Sequence, residues 1–306
     1  MKRFAYDEQI LSQPAAVQAV LDRPAPPRLD PAQPALFAGL GTSLHACRVA
    51  AAWMPGGRAV DAHELALRLP LGPADQVVVV THGGTGPFAA AVLAKARAAG
   101  ARSFAVVGET APEPRADVVV RTCPAERARA HTVSYLTALA ALGRLAGLDE
   151  RLAEAPRLLR EALAAPAPVE SAGRLAGREP VLVVGFGLDA ITASEAALKL
   201  KEATFAWAEG MPVELALHGP QAALRKGMGA LVFTPATDDG GRTQKLRDLC
   251  RSIGVETVAC GSGAEELRFP PCDELLRPLV SIVPAQRLAA EIARLAGGDP
   301  DHIRGF

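Results

Sequence analysis

A pattern in the first half of the chain returns in the second half, roughly 150 residues later. Residues 36–41 are similar to residues 182–187, and residues 105–108 are similar to residues 258–261. In both halves, apolar runs of strand length alternate with Ala/Leu-rich stretches of helical character. Strands that are apolar on both faces and separated by helices indicate a parallel sheet covered on both sides. The repeat therefore predicts two similar α/β domains.

The predicted strands are residues 36–39, 76–81, 103–108, 117–121, 181–185, 230–234 and 256–260. The predicted helices are residues 6–21, 43–53, 88–99, 190–205, 243–252 and 284–296. A Pro/Ala/Gly run at 164–173 is typical of a joint between domains. We therefore expect a first domain with an N-terminal helix at 1–165 and a second domain at 166–306.

Composition excludes several classes of protein. The 306 residues carry 33 basic and 33 acidic side chains, so the chain lacks the positive charge of a general nucleic-acid binder. Aromatic residues make up 4%, which argues against a surface that stacks bases or sugars. The longest apolar runs have strand length, and the N-terminus lacks a signal-peptide pattern, so no membrane association is expected. Five cysteines without a CxxC pair indicate neither disulfides nor a metal site, and favour a cytoplasmic location.

Two glycine-rich turns follow predicted strands of the first domain. The first reads Gly39-Leu40-Gly41-Thr42-Ser43, and the second reads Thr81-His82-Gly83-Gly84-Thr85-Gly86. Glycines let a ligand approach the backbone, and amides at a helix start favour an anion such as phosphate. Ser43 as a plain helix cap and an ordinary strand-to-helix turn remain alternatives. A dinucleotide site is a further alternative, with Asp61 as its acid, although the third glycine of that fingerprint is missing.

Charged residues mark two other regions. Glu195, Lys199 and Glu202 share one face of the helix predicted at 190–205, beside an apolar stripe. Partial burial there would tune a carboxylate for proton transfer, whereas a solvated Glu–Lys pair is the alternative. His218, in a Gly-Pro turn, is a candidate general acid or base, or simply a surface histidine.

The stretch Glu126-Arg127-Ala128-Arg129-Ala130-His131-Thr132 places three basic side chains in one connection, as candidate contacts for an anionic or hydroxylated substrate or as a solvated loop.

In order along the chain, these motifs resemble the double-SIS (sugar isomerase) family, which includes the isomerase half of glucosamine-6-phosphate synthase and related deaminases and deglycases. Residues 8–14 resemble the family's opening E-I-x-x-Q-P, and residues 41–46 match G-T-S-x-x-A. Residues 195–202 match E-G-A-L-K-L-K-E with one change, and His218-Gly219-Pro220 follows at the family's spacing. Residues 298–305 resemble the closing N-P-D-x-P-R-G-L. The resemblance covers nearly the whole chain.

The resemblance implies an α/β fold of two flavodoxin-like SIS domains, each a parallel sheet between helix layers, in a homodimer with a shared active site. It implies an enzyme that needs no cofactor and interconverts aldose and ketose sugar phosphates, or deaminates or deglycates amino sugar phosphates. Glu202 would move a proton between C1 and C2, His218 of a partner subunit would assist ring opening, and Lys199 would position the sugar. The expected substrate-binding residues are Gly41, Thr42, Ser43, Thr81, His82, Gly83, Gly84, Thr85, Arg129 and His131.

Three features depart from the family pattern. The turn at 81–86 replaces the family's S-x-S-G-E-T, and His131 stands in place of a serine. The sequence has no lysine beyond the closing motif and no glutaminase segment before the first strand, so we do not expect glutamine-dependent amination by this chain. The altered turn at 81–86 and the missing lysine also favour an alternative, a sugar-phosphate sensor that retains the pocket without the chemistry.

Overall fold

A computed structural model describes residues 3–305 of the chain. The chain forms two compact units, each built around one sheet. The first-sheet unit comprises residues 12–126 and 133–156. The second-sheet unit comprises the described residues up to Leu11, residues 127–132 and the described residues from Arg157 onward. The units are therefore discontinuous in sequence.

The first sheet has five parallel strands in the order β2-β1-β3-β4-β5. The strands are β1 Ala35–Gly39, β2 Arg58–Asp61, β3 Gln76–Thr81, β4 Arg102–Val107 and β5 Val118–Arg121. The helices of this part of the chain are α1 Ala5–Leu21, α2 Thr42–Trp53, α3 Ala62–Leu67, α4 Pro87–Ala98, α5 Val133–Leu145, α6 Asp149–Leu152 and α7 Ala155–Ala164. The four consecutive valines of β3 are buried because helices cover both faces of the sheet.

The second sheet repeats this order as β10-β9-β8-β6-β7. Its strands are β6 Val181–Gly185, β7 Ala208–Pro212, β8 Gly229–Phe233, β9 Glu256–Gly261 and β10 Leu267–Arg268. The helices are α8 Val169–Leu175, α9 Leu188–Thr204, α10 Val213–Leu217, α11 Arg242–Ile253, α12 Arg277–Val280 and α13 Ile282–Ala296. Read in chain order, both sheets have the order 2-1-3-4-5, which is that of the flavodoxin-like fold.

The repeat extends to the backbone of one turn. Gly41, before α2, has φ 53° and ψ −128°, and Gly187, before α9, has φ 58° and ψ −130°. Residues with a side chain rarely adopt this positive φ. The predicted duplication into two parallel α/β sheets is confirmed. The domain boundary after residue 165 stays a prediction.

The sequence pattern does not predict three strands, β2, β7 and β10. All three are edge strands of their sheets. β2 contains charged residues, and β7 contains a charged residue, a glycine and a proline. An edge strand pairs on one side and needs little apolar surface, so its sequence lacks the signal of a central strand. The joint expected at 164–173 is also more regular than its composition indicates, because α7 continues to Ala164 and α8 begins at Val169.

Candidate active site

The first sheet has a switch point between β1 and β3, where the strand order reverses. Ligands of open α/β sheets bind outside the carboxyl ends of the strands at such a point. Because β1 ends at Gly39 and β3 ends at Thr81, both glycine-rich turns start at this edge. The topology therefore places Gly41, Thr42 and Ser43 at the same edge as residues 81–85.

The first turn is shaped by two glycines. A Cβ at Gly39 would lie 2.7 Å from the Ser43 carbonyl carbon, so only glycine fits where the chain enters α2. Gly41 occupies the N-cap position of α2 without a side-chain cap. Ser43 lies inside the first turn of the helix, and the interpretation of Ser43 as the cap is therefore wrong. Its half-buried side chain, like that of Thr42, stands at the carboxyl edge of the sheet.

The second turn leads into α4, with Gly86 at the N-cap and Pro87 at the first helical position. Gly84 has φ 70°, and Thr85 is exposed. The first turn of α4 carries no acidic side chain and no side-chain cap. This backbone suits a ligand that accepts hydrogen bonds from amides.

His82, in the second turn, packs tightly against Gly108. A Cβ at Gly108, just after β4, would lie 2.8 Å from the His82 Nδ1 atom, so the ring packs where Gly108 has no side chain. Burial lowers the pKa of His82, and the charge of Glu126 opposes this shift. The Glu126 carboxylate accepts hydrogen bonds from the amides of Val133 (3.2 Å) and Ser134 (2.8 Å), at the start of α5. Burial of the ring thus favours the neutral imidazole of His82 over its cationic form.

Residues 127–132, here called segment 127–132, belong to the second-sheet unit. Arg127 and Arg129 are exposed and His131 is half-buried, whereas Ala128 and Ala130 are buried. The two arginine side chains therefore face outward from a segment whose alanines are packed, whereas His131 is partly covered.

The face of α9 predicted to carry chemistry is buried rather than solvated. Lys199 is fully buried, and its Nζ lies 2.5 Å from Glu202 Oε2 and 3.4 Å from Glu195 Oε1. Glu195 is also fully buried, whereas 20% of the Glu202 side chain is exposed. The alternative of a solvated Glu–Lys pair is therefore wrong. An ammonium between two carboxylates partly compensates the cost of burying them.

His218 makes no side-chain hydrogen bond to the Glu195–Lys199–Glu202 group. It follows α10, its side chain is 68% exposed, and its Nε2 lies 2.7 Å from Glu214 Oε1. Arg242 also binds Glu214, and hydrogen bonds from Arg242 and His218 lower the pKa of the Glu214 carboxyl. The His218 ring thus pairs with a surface carboxylate on α10 and not with a residue of α9.

The second sheet has an equivalent switch point between β6 and β8, and it is filled by the protein itself. Asp189 stands two residues after Gly187, as Ser43 stands two residues after Gly41. Its carboxylate accepts hydrogen bonds from Arg277 Nε (2.8 Å) and Nη2, and Nη2 also donates to the carbonyl oxygen of Thr234 at 2.8 Å. Asp189 and Arg277 are both buried. Sequence reasoning missed this pair, although the duplication aligns Asp189 with Ser43.

The candidate residues divide between the two units. Residues 41–43 and 81–85 belong to the first-sheet unit. The second-sheet unit contains Arg129, His131, Lys199, Glu202 and His218.

Asp61, the acid of the dinucleotide alternative, instead caps α3 by accepting a hydrogen bond from the amide of His63 at 2.8 Å. Within residues 3–305, no group of three or more His, Cys, Asp or Glu side chains is arranged to hold a metal ion, and no helix is long and apolar enough to cross a membrane.

No protein-family model matches the chain. The chain is 30% identical, over 258 residues, to the isomerising glutamine–fructose-6-phosphate aminotransferase of Thermococcus kodakarensis; the match covers 75% of this chain and 43% of the relative. The chain thus spans less than half the length of the curated relatives it matches.

Two solved structures share the fold over nearly the whole chain. The C-terminal domain of glucosamine-fructose-6-phosphate aminotransferase from Francisella tularensis matches with a TM-score of 0.88 and 20% identity, covering 98% of this chain and 99% of that one. Glucosamine-6-phosphate deaminase from Thermotoga maritima matches with a TM-score of 0.80 and 18% identity, covering 99% and 98%. The fold of this chain is therefore that of the sugar isomerase (SIS) proteins.

Proposed function

We propose that this chain is a double-SIS enzyme that acts on a sugar phosphate or an amino sugar phosphate by moving a proton between C1 and C2. Deamination or deglycation is the variant we favour over simple aldose–ketose isomerisation. The observation that carries the proposal is the buried ammonium of Lys199 between Glu195 and Glu202. The names of the similar proteins, an isomerising aminotransferase and a deaminase of amino sugar phosphates, agree with this chemistry.

Glu202 is the proposed proton carrier. Lys199 fixes one of its oxygens at 2.5 Å, and the partial exposure of Glu202 leaves it open to a substrate, unlike Glu195. As a base, the carboxylate takes the proton from C2 of an open-chain aldose while O1 gains a proton from water, which gives an enediol or, from an amino sugar, an enaminol. As an acid, it returns the proton to C1 while the hydroxyl or amino group on C2 loses a proton to water, which gives the ketose or its imine. Water then adds to the imine and releases ammonia. A positioned acid–base group contributes roughly 10²–10⁴-fold to such a reaction.

The proposed binding residues are the two turns of the first sheet together with Arg129 and His131. Amides and hydroxyls at residues 41–43 and 81–85 would hold phosphate or sugar oxygens. Glycine at 83 and 84 leaves mainly backbone donors in the second turn. Arg129 is exposed and carries a permanent positive charge that attracts an anionic substrate.

We propose a homodimer in which His218 of one subunit assists ring opening in the site of the other. The 68% exposure of this side chain supports the proposal, because the ring is accessible from outside its own subunit. Mixing inactive Glu202→Gln and His218→Ala proteins would restore part of the activity if the site is shared. A monomer by light scattering at assay concentration would contradict the dimer. We further propose a cytoplasmic location, since the five cysteines are scattered, odd in number and without a CxxC pair.

The test of the catalytic proposal is Glu202→Gln, which keeps the shape and removes the base. We expect loss of turnover and of solvent deuterium incorporation at C2 of glucosamine 6-phosphate or fructose 6-phosphate, with binding retained. Glu209→Gln is the matched control, because Glu209 is an exposed carboxylate on the edge strand β7. Unchanged exchange in Glu202→Gln would remove Glu202 from the mechanism.

The second candidate function is a sugar-phosphate sensor without chemistry. The second turn favours it, since burial lowers the pKa of His82 and disfavours the cationic ring that would attract a phosphate dianion. A sensor would be stabilised against heat by phosphosugars and would release neither ammonia nor an isomerised product. Turnover of any phosphosugar by the wild-type protein would exclude this alternative.

A further inference from the structure

Segment 127–132 carries two proposed substrate contacts, Arg129 and His131, but it is neither helix nor strand. No ladder of helix or sheet hydrogen bonds therefore fixes its backbone. Its amides are instead bound by two distant parts of the same unit, the start of α1 and the residues after α13.

The first support is Gln9, on α1. Its side-chain oxygen accepts hydrogen bonds from the amides of both Arg127 and Ala128, each at 2.8 Å. Gln9 is 8% exposed, so water competes little for this acceptor. One buried oxygen thus fixes two successive peptide groups.

The second support is the chain at Pro300 and Asp301. The carbonyl oxygen of Pro300 accepts a hydrogen bond from the Ala130 amide at 3.0 Å. The carbonyl oxygen of Asp301 accepts one from the Arg129 amide at 3.3 Å. The carboxylate of Asp301 accepts hydrogen bonds from the amides of Ala5 (2.8 Å) and Tyr6 (2.9 Å), which lie in the first turn of α1, where helix geometry supplies no carbonyl acceptor. Asp301 therefore links both supports: its carboxylate binds the start of α1, the helix that carries Gln9, and its carbonyl oxygen binds segment 127–132.

From this arrangement we infer that Gln9 and Asp301 are positioning residues, which set the backbone of segment 127–132 and, through it, the orientation of Arg129 and His131 toward the substrate. The inference rests on the proposed function, because the segment matters for binding only if these side chains contact the sugar. Gln9 and Asp301 themselves need not touch a ligand. A misplacement of about 1 Å in a positioning element costs up to about 10²-fold in activity.

Gln9 offers the cleaner test, since Gln9→Glu keeps the acceptor oxygen and Gln9→Leu removes it. Gln18→Leu is the matched control, because Gln18 lies on the same helix, is exposed and donates a hydrogen bond to Asp22, the residue just after the helix ends. Hydrogen–deuterium exchange of the ligand-free proteins reports the order of residues 127–132 independently of any activity. Calorimetric titration with glucosamine 6-phosphate and fructose 6-phosphate, with KM and kcat where turnover occurs, reports binding.

We expect faster exchange in segment 127–132 for Gln9→Leu but not for Gln9→Glu or Gln18→Leu. We expect the Kd and KM of Gln9→Leu to rise by roughly tenfold to a hundredfold, with a smaller change in kcat. The double variant Gln9→Leu/Arg129→Ala should lose less binding free energy than the two single variants together, since both changes weaken the contact made by Arg129.

Three results would overturn the inference: unchanged exchange in Gln9→Leu, a Gln9→Glu variant as impaired as Gln9→Leu, or additive losses in the double variant. A purely structural role would lower the melting temperature while leaving the Kd of the folded protein unchanged. Failure of the wild-type protein to bind either sugar is a separate result, which contradicts the proposed function.

Discussion

Replacing Arg277 by methionine would leave the Asp189 carboxylate buried without its guanidinium. Asp189 is 2% exposed and would keep the Ser281 hydroxyl, at 3.2 Å, as a hydrogen-bond donor. Removing one partner of a buried ion pair costs about 3–5 kcal/mol, because the remaining charge is uncompensated. We therefore expect Arg277→Met to lower the melting temperature by an amount on the order of 10 °C, measured by differential scanning calorimetry at pH 8.

The loss should depend on pH with a defined sign. Burial raises the pKa of Asp189, and the hydrogen bonds and charge of Arg277 oppose the rise. Without Arg277 the folded-state pKa moves higher still above the unfolded value of about 3.9. Protonation then favours the folded state, so the stability gap to the wild type is smallest in acid and widens as the pH rises toward the folded-state pKa.

The double variant Asp189→Leu/Arg277→Met tests whether the loss of stability comes from the buried Asp189 carboxylate that Arg277→Met leaves without a counter-charge. Replacing both partners by apolar side chains of similar size is often neutral or stabilising. We expect the double variant to recover most of the stability that Arg277→Met loses. A loss below about 1 kcal/mol in the single variant, or a double variant as unstable as the single one, would refute the reasoning.

Three further outcomes are expected. Lys199→Met should lose about 3–5 kcal/mol of unfolding free energy in denaturant titrations, since it leaves Glu195 buried without an ammonium; a loss within error of zero would contradict the buried pair. Gly108→Ala should cost about 1–3 kcal/mol and shift the NMR signals of the His82 ring, which the new methyl group would contact; unchanged signals would contradict this packing. Under native conditions Cys272 should be alkylated far faster than the other cysteines, which are buried; comparable rates by mass spectrometry would contradict their burial.

The central strands and the two glycine turns were predictable because they leave strong local signals. Four valines in succession can be accommodated in a strand buried on both faces, and a turn such as Gly39-Leu40-Gly41 requires backbone that other residues rarely adopt. The edge strand β7, in contrast, reads Ala-Glu-Gly-Met-Pro and has no apolar pattern, because one side of it has no strand to pair with.

The candidate site was predictable in part. The spacing of Glu195, Lys199 and Glu202 placed them on one face, but their burial depends on how α9 packs against β7 and α13, which periodicity does not encode. The contacts of Gln9 and Asp189 depend on residues 118 and 88 positions away, respectively, so no local pattern could reveal them. Side chains whose role is defined by a distant partner are the ones that sequence reading misses.

The bonds between Asp301 and the amides of Ala5 and Tyr6 span 296 and 295 positions of the chain. Loop closure over such a separation is entropically costly and is typical of slow steps in folding. During synthesis, the peptide groups of Arg129 and Ala130 leave the ribosome long before the carbonyls that will accept them exist. Because Pro300 and Asp301 follow the last strand, β10, in the chain, segment 127–132 gains this support only after the strands of both sheets have been synthesised.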